Sequence, residues 1–140
     1  MDTINKKCVA VIDSDLPVGV IANTSAILGV TLGKYLPEQV GENVDDATGK
    51  THLGIITIPI AMLKESSDKL RELRERLYEP EFDDLLVVDF SDVAQSCNVY
   101  GEYIAKAASV PEEKHTYLGI AIYGDKKKVN RLTGALPLLR

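Results

Sequence analysis

Residues 7–37 read KCVAVIDSDLPVGVIANTSAILGVTLGKYLP. The run from Lys7 to Ile12 is short, apolar and rich in β-branched residues, which predicts a buried first strand. Pro17 then opens a helix that we predict to end near Leu36, before Pro37. Its apolar residues lie nearly all around, so we expect it to be packed inside the protein. A strand followed by a buried helix is the typical opening of an α/β protein.

Three further strands are expected, at residues 53–58 (LGIITI), 85–90 (LLVVDF) and 117–123 (YLGIAIY). Each is a short apolar run of the kind that forms a buried strand. Pro59 would end the pairing of the strand at 53–58, because proline has no backbone N–H to donate. A long loop, residues 38–52, precedes that strand, and loops of this length are often functional or disordered.

Three further helices are expected between and after these strands. One begins at Ser66 or Ser67, and its charge-rich side (71–76) is typical of a solvated face. The next begins at Asp92, and the last is the basic segment 126–133. The positions expected to be buried are Leu70, Leu73 and Leu77 in the first of these helices, and Val93, Cys97, Tyr100, Ile104 and Ala107 in the second.

The alternation of strands and helices predicts the fold class. We expect one α/β domain over residues 1–140, a three-layer α/β/α sandwich around a mainly parallel sheet. The length of 140 residues is typical of a single domain with one core. Cys8 and Cys97 stand in apolar segments without a partner at metal-binding spacing, so we expect reduced thiols and a cytoplasmic protein.

Charge and hydropathy indicate which classes of binding partner are expected. The net charge of −5 disfavours nucleic-acid binding, because an acidic chain repels phosphates at long range. Only residues 101–140, with 7 basic and 4 acidic side chains, indicate the opposite. Residues 16–33 contain no charge, but Pro17 and three glycines make them a poor membrane span, so no membrane partner is expected.

Polar side chains cluster where the predicted parallel strands end, which is where ligands collect in open α/β sheets. Asp13 and Asp15 follow the first strand, and the other members of the candidate site are Asn23, Thr24, Asp89 and Ser91. Helix capping is the more common reason for Asp and Ser at such junctions, and ligand contact is the alternative. As a site, these groups favour an amine, a hydroxyl-rich ligand or a hard cation over a bare phosphate. No metal or cofactor is expected, since Asp45-Asp46-x-x-Gly49 lacks EF-hand spacing.

Two other features suggest chemistry. His52 is the one histidine of the long loop, and it is either a proton-transfer residue or a structural one. His115 lies in a polar turn and is expected to be solvated. The lysines at 126–128 with Arg131 form either an anion patch or a charged surface helix. None of the common phosphate-loop, dinucleotide or serine-hydrolase motifs is present.

Two segments carry a family resemblance, namely VAVIDSDLPVGVIANTSAILG (Val9–Gly29) and YLGIAIYGDKKKVNRLTGALPLL (Tyr117–Leu139). They resemble the opening and the close of type II peptidyl-tRNA hydrolases. With His52-x-Gly54 and the run VVDFS, the chain is more similar still to an uncharacterised bacterial branch of that superfamily, the domain-of-unknown-function family numbered two thousand. The resemblance implies a mixed four-stranded sheet between helices, and commonly a homodimer.

The departures from the hydrolase pattern bear on function. Where those enzymes carry lysines, a glutamine and a histidine, this chain has Val20, Thr24 and Ile27. Asp89 corresponds to their aspartate after the third strand, with Ser91 nearby. Without a base or a phosphate anchor, hydrolysis of peptidyl-tRNA is not expected. We therefore expect a module that binds a small molecule or regulates, and the alternative is a hydrolase of a small ester or amide that uses Asp89 or His52 as acid or base.

The apolar tail, with Leu136, Leu138 and Leu139, bears on assembly. An apolar chain end frays and exposes a patch unless it is packed. It packs either on its own subunit or on a partner, and with the resemblance it favours a homodimer.

Overall fold

The computed structural model describes residues 5–140. Its strands are β1 (Lys6–Asp13), β2 (Val44–Asp45), β3 (Thr51–His52), β4 (Ile60–Glu65), β5 (Leu86–Ser91) and β6 (Tyr117–Asp125). Its α-helices are α1 (Val18–Tyr35), α2 (Ser67–Leu77), α3 (Asp92–Gln95), α4 (Tyr100–Ser109) and α5 (Lys126–Thr133). Single 3₁₀ turns lie at Pro37–Gln39, Pro80–Phe82 and Glu112–Lys114.

The main sheet has the strand order β4-β1-β6-β5. β1 pairs in parallel with β4, and β6 pairs antiparallel with both β1 and β5. The sheet is therefore mixed, as the resemblance implied. We expected a mainly parallel sheet, and this is wrong for the strand pairs. Only the β1–β4 pair is parallel, because β6 runs against both of its neighbours.

Helices cover both faces of this sheet. Since side chains alternate along a strand, β1 sends Val9 and Val11 to one face and Ala10 and Ile12 to the other. The first face packs against α2 and α5, and the second packs against α1. Both central strands are buried on both sides, which explains why they are nearly continuous apolar runs.

The second strand of the main sheet lies after Pro59, and the prediction of a strand at 53–58 is wrong. β4 begins at Ile60, whereas Leu53 and Ile55 are 80% and 78% exposed. Residues 53–57 pair with the chain that follows α1, because Gly41 donates its N–H to the Ile55 carbonyl (2.9 Å). Pro59 directly precedes β4. Proline has no N–H to donate, but it is tolerated at the start of a strand, so Pro59 introduces β4 and does not end a strand at 53–58. The predicted long loop contains the hairpin β2–β3.

Helix α1 has the predicted length but not the predicted environment. Its buried residues are Thr24, Leu28 and Leu32, while Val30 is 77% exposed. The helix lies on the surface of the sheet with an apolar outer side. Among residues 5–140, no helix is long and apolar enough to cross a membrane.

The helix predicted from Asp92 is two helices. α3 ends at Gln95, and the side chains of Ser96 and Cys97 both donate to the Val93 carbonyl, which competes with helical N–H donors. α4 then begins at Tyr100. Tyr100 and Ile104 were expected to be buried, but they are 73% and 61% exposed. Cys97 and Ala107 are half-buried, so of the expected stripe only Val93 is fully buried.

Helix α2 begins as predicted, with the Ser66 hydroxyl accepting from the Lys69 N–H at 3.3 Å. Leu70, Leu73 and Leu77 are buried, as expected. Its charged side is not fully solvated, because Arg71 is half-buried and Arg74 is only 12% exposed.

The C-terminal tail packs on its own subunit, along the edge of β4. The Pro137 carbonyl accepts from the Lys64 N–H (3.0 Å), and the Leu139 N–H donates to the Met62 carbonyl (2.9 Å). The tail therefore covers a strand edge that would otherwise be open to pairing with another chain.

Candidate functional site

A cavity of about 440 Å³ lies along the free side of β5, and we call it the Asp89 cavity. Val88, Asp89 and Phe90 of β5 form its floor, and Ile27 and Thr31 of α1 form one wall. The opposite wall is the segment around the α3–α4 break, with Ala94, Cys97, Asn98, Val99, Tyr100 and Tyr103. The cavity exists because α3 stops early, so that the chain moves away from the sheet before α4 begins.

Asp89 is the one charged residue of this lining. Its Oδ2 accepts a hydrogen bond from Arg74 Nε at 3.0 Å, and the same guanidinium lies over the Tyr78 ring at 4.0 Å. The ion pair with Arg74 holds the Asp89 carboxylate in a fixed orientation at the cavity.

Two tyrosines make the cavity aromatic. The rings of Tyr100 and Tyr103 meet edge to face, with centroids 5.5 Å apart. Burial raises the pKa of the Tyr103 hydroxyl, and the nearby charge of Asp89 raises it further. Tyr103 therefore keeps its proton at neutral pH and offers a hydrogen-bond donor close to a carboxylate. Sequence analysis missed Tyr103, although tyrosines three positions apart after a helix break are a recognisable signal.

The predicted rim at the strand ends is only partly assembled. β1, β4 and β5 end on the same side of the sheet, so Asp13 and Ser91 share that edge. Asp13 Oδ1 accepts from the backbone N–H of Asp15 at 3.0 Å, which is a turn-forming role. Asp13 is buried, while Asp15 and Asn23 are exposed. None of these four residues lines the Asp89 cavity.

Thr24 is a core residue. It is fully buried, and its methyl group packs against Gly119 of β6, where an added Cβ would lie 2.7 Å from it. Its hydroxyl oxygen has no hydrogen-bond partner among the described residues. A ligand in the Asp89 cavity does not touch Thr24, because Thr24 is not part of the lining.

His52 lies in the β2–β3 hairpin, away from the Asp89 cavity lining. Its Nε2 is 2.8 Å from Asp46 Oδ2, and the pair is solvent-exposed. Hydrogen bonds from the Thr48 hydroxyl, from His52 and from two backbone N–H groups lower the pKa of Asp46. These contacts fit the structural alternative for His52, and they do not bring His52 and Asp89 into one site.

His115 is not solvated, contrary to expectation. It is half-buried, its Nε2 lies 3.2 Å from the Val110 carbonyl, and its Nδ1 lies 3.4 Å from Ser91 Oγ. These contacts fix the turn before β6 and place Ser91 against protein groups. Across residues 5–140, no group of three or more His, Cys, Asp or Glu side chains could hold a metal ion.

Comparisons with known proteins bear on the fold and not on the activity. A family model described as "Protein of unknown function (DUF2000)" matches residues 6–140. No curated protein matches the chain. A solved structure, a protein of unknown function named Atu0240 from Agrobacterium tumefaciens strain C58, superposes with a TM-score of 0.85 at 19% identity, covering 96% of this chain and 97% of that one. At this identity the likeness shows the shared fold alone.

Proposed function

Because the chain belongs to the DUF2000 family of proteins of unknown function, we propose a role from its own geometry: a module that binds a small molecule, in the Asp89 cavity. The observation that supports this proposal is a cavity of about 440 Å³ whose lining is apolar and aromatic around one carboxylate. Pockets for small ligands have this size and this combination of an apolar lining with few polar groups.

The lining indicates the kind of ligand. Phe90, Tyr100 and Tyr103 offer aromatic contacts to a flat or aliphatic body. One carboxylate oxygen of Asp89 accepts a hydrogen bond from Arg74. A carboxylate accepts several hydrogen bonds, so Asp89 can also accept one from a ligand. A ligand with an apolar body and an amine or hydroxyl donor matches these groups.

A thermal-shift screen against a metabolite library tests the proposal. A ligand present at about one hundred times its Kd stabilises the native state by about 2.7 kcal/mol, which raises Tm by several degrees. For the ligand found, Asp89→Asn should abolish most of the shift. Asp84→Asn is the matched control, since Asp84 also pairs with a basic side chain (Lys128, 2.9 Å) but lies outside the cavity. An equal loss of shift in both variants would contradict a site at Asp89.

The proposal includes a distant relation to type II peptidyl-tRNA hydrolases without their activity. Val20 and Ile27 stand where the resemblance would require catalytic groups, and Thr24 is buried against Gly119. Incubation with peptidyl-tRNA should give no turnover above background. Turnover that disappears in Asp89→Asn would favour the second candidate, a hydrolase of a small ester or amide with Asp89 as acid or base.

Two further parts of the proposal concern nucleic-acid binding and cellular location. The net charge of −5 supports weak nucleic-acid binding, and a steep salt dependence with micromolar affinity would contradict that. The free thiols of Cys8 and Cys97 support a cytoplasmic location as part of the same proposal.

A further inference from the structure

A second cavity, of about 370 Å³, lies at the opposite end of the sheet from the strand-end rim. Lys6 and Lys7 at the start of β1 and Lys126 at the start of α5 surround it, and we call it the lysine cavity. Its apolar part is formed by Ile58, Pro59 and Ala61, where the chain enters β4.

Strand pairing brings the three lysines together. Lys6 and Lys7 lie opposite Asp125 and Gly124 in the antiparallel β1–β6 pair. The first residue of α5 is therefore beside the first residues of β1, and the Lys126 N–H donates to the Asn5 carbonyl at 2.7 Å. The strand pairing places the backbones of the three lysines side by side at this end of the sheet.

In the part of the chain that the structure describes, these lysines are not bonded to a carboxylate, although Asp125 lies opposite Lys6 in the sheet. Within residues 5–140, none of the three forms an ion pair, and the Lys7 ammonium donates to the neutral amide oxygen of Asn130 at 2.6 Å. The nearby basic residues of α5 differ, since Lys128 pairs with Asp84 and Arg131 pairs with Glu81. Lys126 therefore differs from Lys128 and Arg131, because it lines a cavity and forms no ion pair with another described residue.

Lys126 is the first residue of α5 and directly follows the N-cap residue Asp125. The carboxylate of Asp125 accepts from the Lys128 N–H at 3.1 Å. No acidic residue is among the described residues that line the cavity, although the net charge of the chain is −5.

We propose that the lysine cavity binds a small amphiphilic anion, with a carboxylate or phosphate head between the lysines and an apolar body on Ile58, Pro59 and Ala61. Lysine ammonium groups act as compact point charges for such heads. The cavity volume of about 370 Å³ falls within the range of small-ligand sites. This site is independent of the Asp89 cavity, with which it shares no lining residue.

Titration of the ¹⁵N-labelled full chain with sodium octanoate tests the proposal by NMR. We expect saturable shifts of the backbone amides of Cys8, Ala61 and Lys126, and none at Val88 or Tyr103. Lys126→Gln should weaken binding about threefold to fivefold, as expected for one solvent-accessible charge pair. The neighbouring Lys127→Gln is the matched control and should leave the affinity within about twofold, because Lys127 does not line the cavity.

Two comparison probes separate the head from the body. 1-Octanol lacks the charge and inorganic phosphate lacks the apolar body, so both should bind more weakly than octanoate. Equal binding of octanol would overturn the role of the lysines, and equal binding of phosphate would overturn that of the apolar part. Absence of saturable octanoate binding, or equal weakening by Lys126→Gln and Lys127→Gln, would overturn the site itself.

Discussion

The hydroxyl of Thr24 is a rare kind of group, a buried donor without an acceptor among residues 5–140. Thr24 is fully buried between α1 and Gly119, and its Oγ1 has no partner among the described residues. Removing such a group from water without a hydrogen bond costs free energy. The methyl group of Thr24 contributes packing, so the hydroxyl and the methyl act in opposite directions on stability.

Thr24→Val keeps the shape of the side chain and removes the hydroxyl. We expect the free energy of unfolding to rise by about 1 kcal/mol, measured by urea denaturation. Thr133→Val is the matched control, because the equally buried Thr133 donates to the Val129 carbonyl at 2.8 Å. That variant should lose about 1 kcal/mol. If both variants lose stability, the Thr24 hydroxyl has a hydrogen-bond partner after all.

The 3₁₀ turn before β6 is held to helix α2 by one charged cluster. Arg71 donates to the Glu112 carboxylate and to the backbone carbonyls of Glu112 and His115, and the Tyr117 hydroxyl donates to Glu112 Oε2 at 2.6 Å. The Arg71 guanidinium also lies over the Tyr117 ring at 4.9 Å. These contacts position the start of β6, the strand that pairs with both β1 and β5.

The same cluster predicts a pH dependence of stability. Burial alone would raise the pKa of Glu112, but hydrogen bonds from Arg71 and Tyr117 lower it below its usual value of 4.5. A pKa that is lower in the folded state contributes stability above the unfolded pKa, and this contribution is lost as the pH falls through the folded pKa. Between about pH 5 and pH 3, the wild type should therefore lose more stability than Glu112→Gln.

Urea unfolding at each pH measures this difference. Glu113→Gln is the control, because Glu113 is exposed and next in sequence, and it should keep the wild-type pH slope. If Glu112→Gln also keeps the wild-type slope, the ion pair with Arg71 does not contribute to acid sensitivity.

Elements whose apolar pattern agrees with their burial were predictable from the sequence. β1, β5, β6, α2 and α5 lie close to their expected positions. β4 was not, because the run at 53–58 looks like a strand and pairs instead with residues 39–41, outside the main sheet. The direction of β6 could not be predicted from the sequence pattern either. Periodicity indicates which side chains share a face of a strand, but not in which direction the strand runs in the sheet.

Part of the candidate site was likewise predictable from the sequence, and part of it was not. Asp89 was predictable from its place in a strand between buried apolar neighbours. Its partner Arg74 was assigned to a solvated face, because a charge-rich helix side does not reveal which charges turn toward the sheet. The tyrosine wall depends on the end of α3 at Ser96 and Cys97, a local hydrogen-bonding choice that propensity alone does not fix.

Assembly follows from the surfaces that remain apolar. The tail is paired with β4 of its own subunit, so it needs no partner and no longer supports a dimer. The outer side of α1 is different, because its only charged residue is Lys34 and Val30 is exposed there. A groove of about 330 Å³ separates α1 from residues 54–56, beside the exposed Leu53 and Ile55.

We therefore predict a homodimer formed through α1 and residues 53–56. Light scattering at micromolar concentration should give twice the monomer mass of 15.3 kDa. Val30→Glu should reduce the mass to that of the monomer, because it buries a charge in an isologous contact twice. Ile104→Glu is the matched control, a similarly exposed apolar residue on α4, and should leave the dimer intact. A mass of 15.3 kDa for the wild type, unchanged on concentration, would mean that this apolar face is not a homodimer interface.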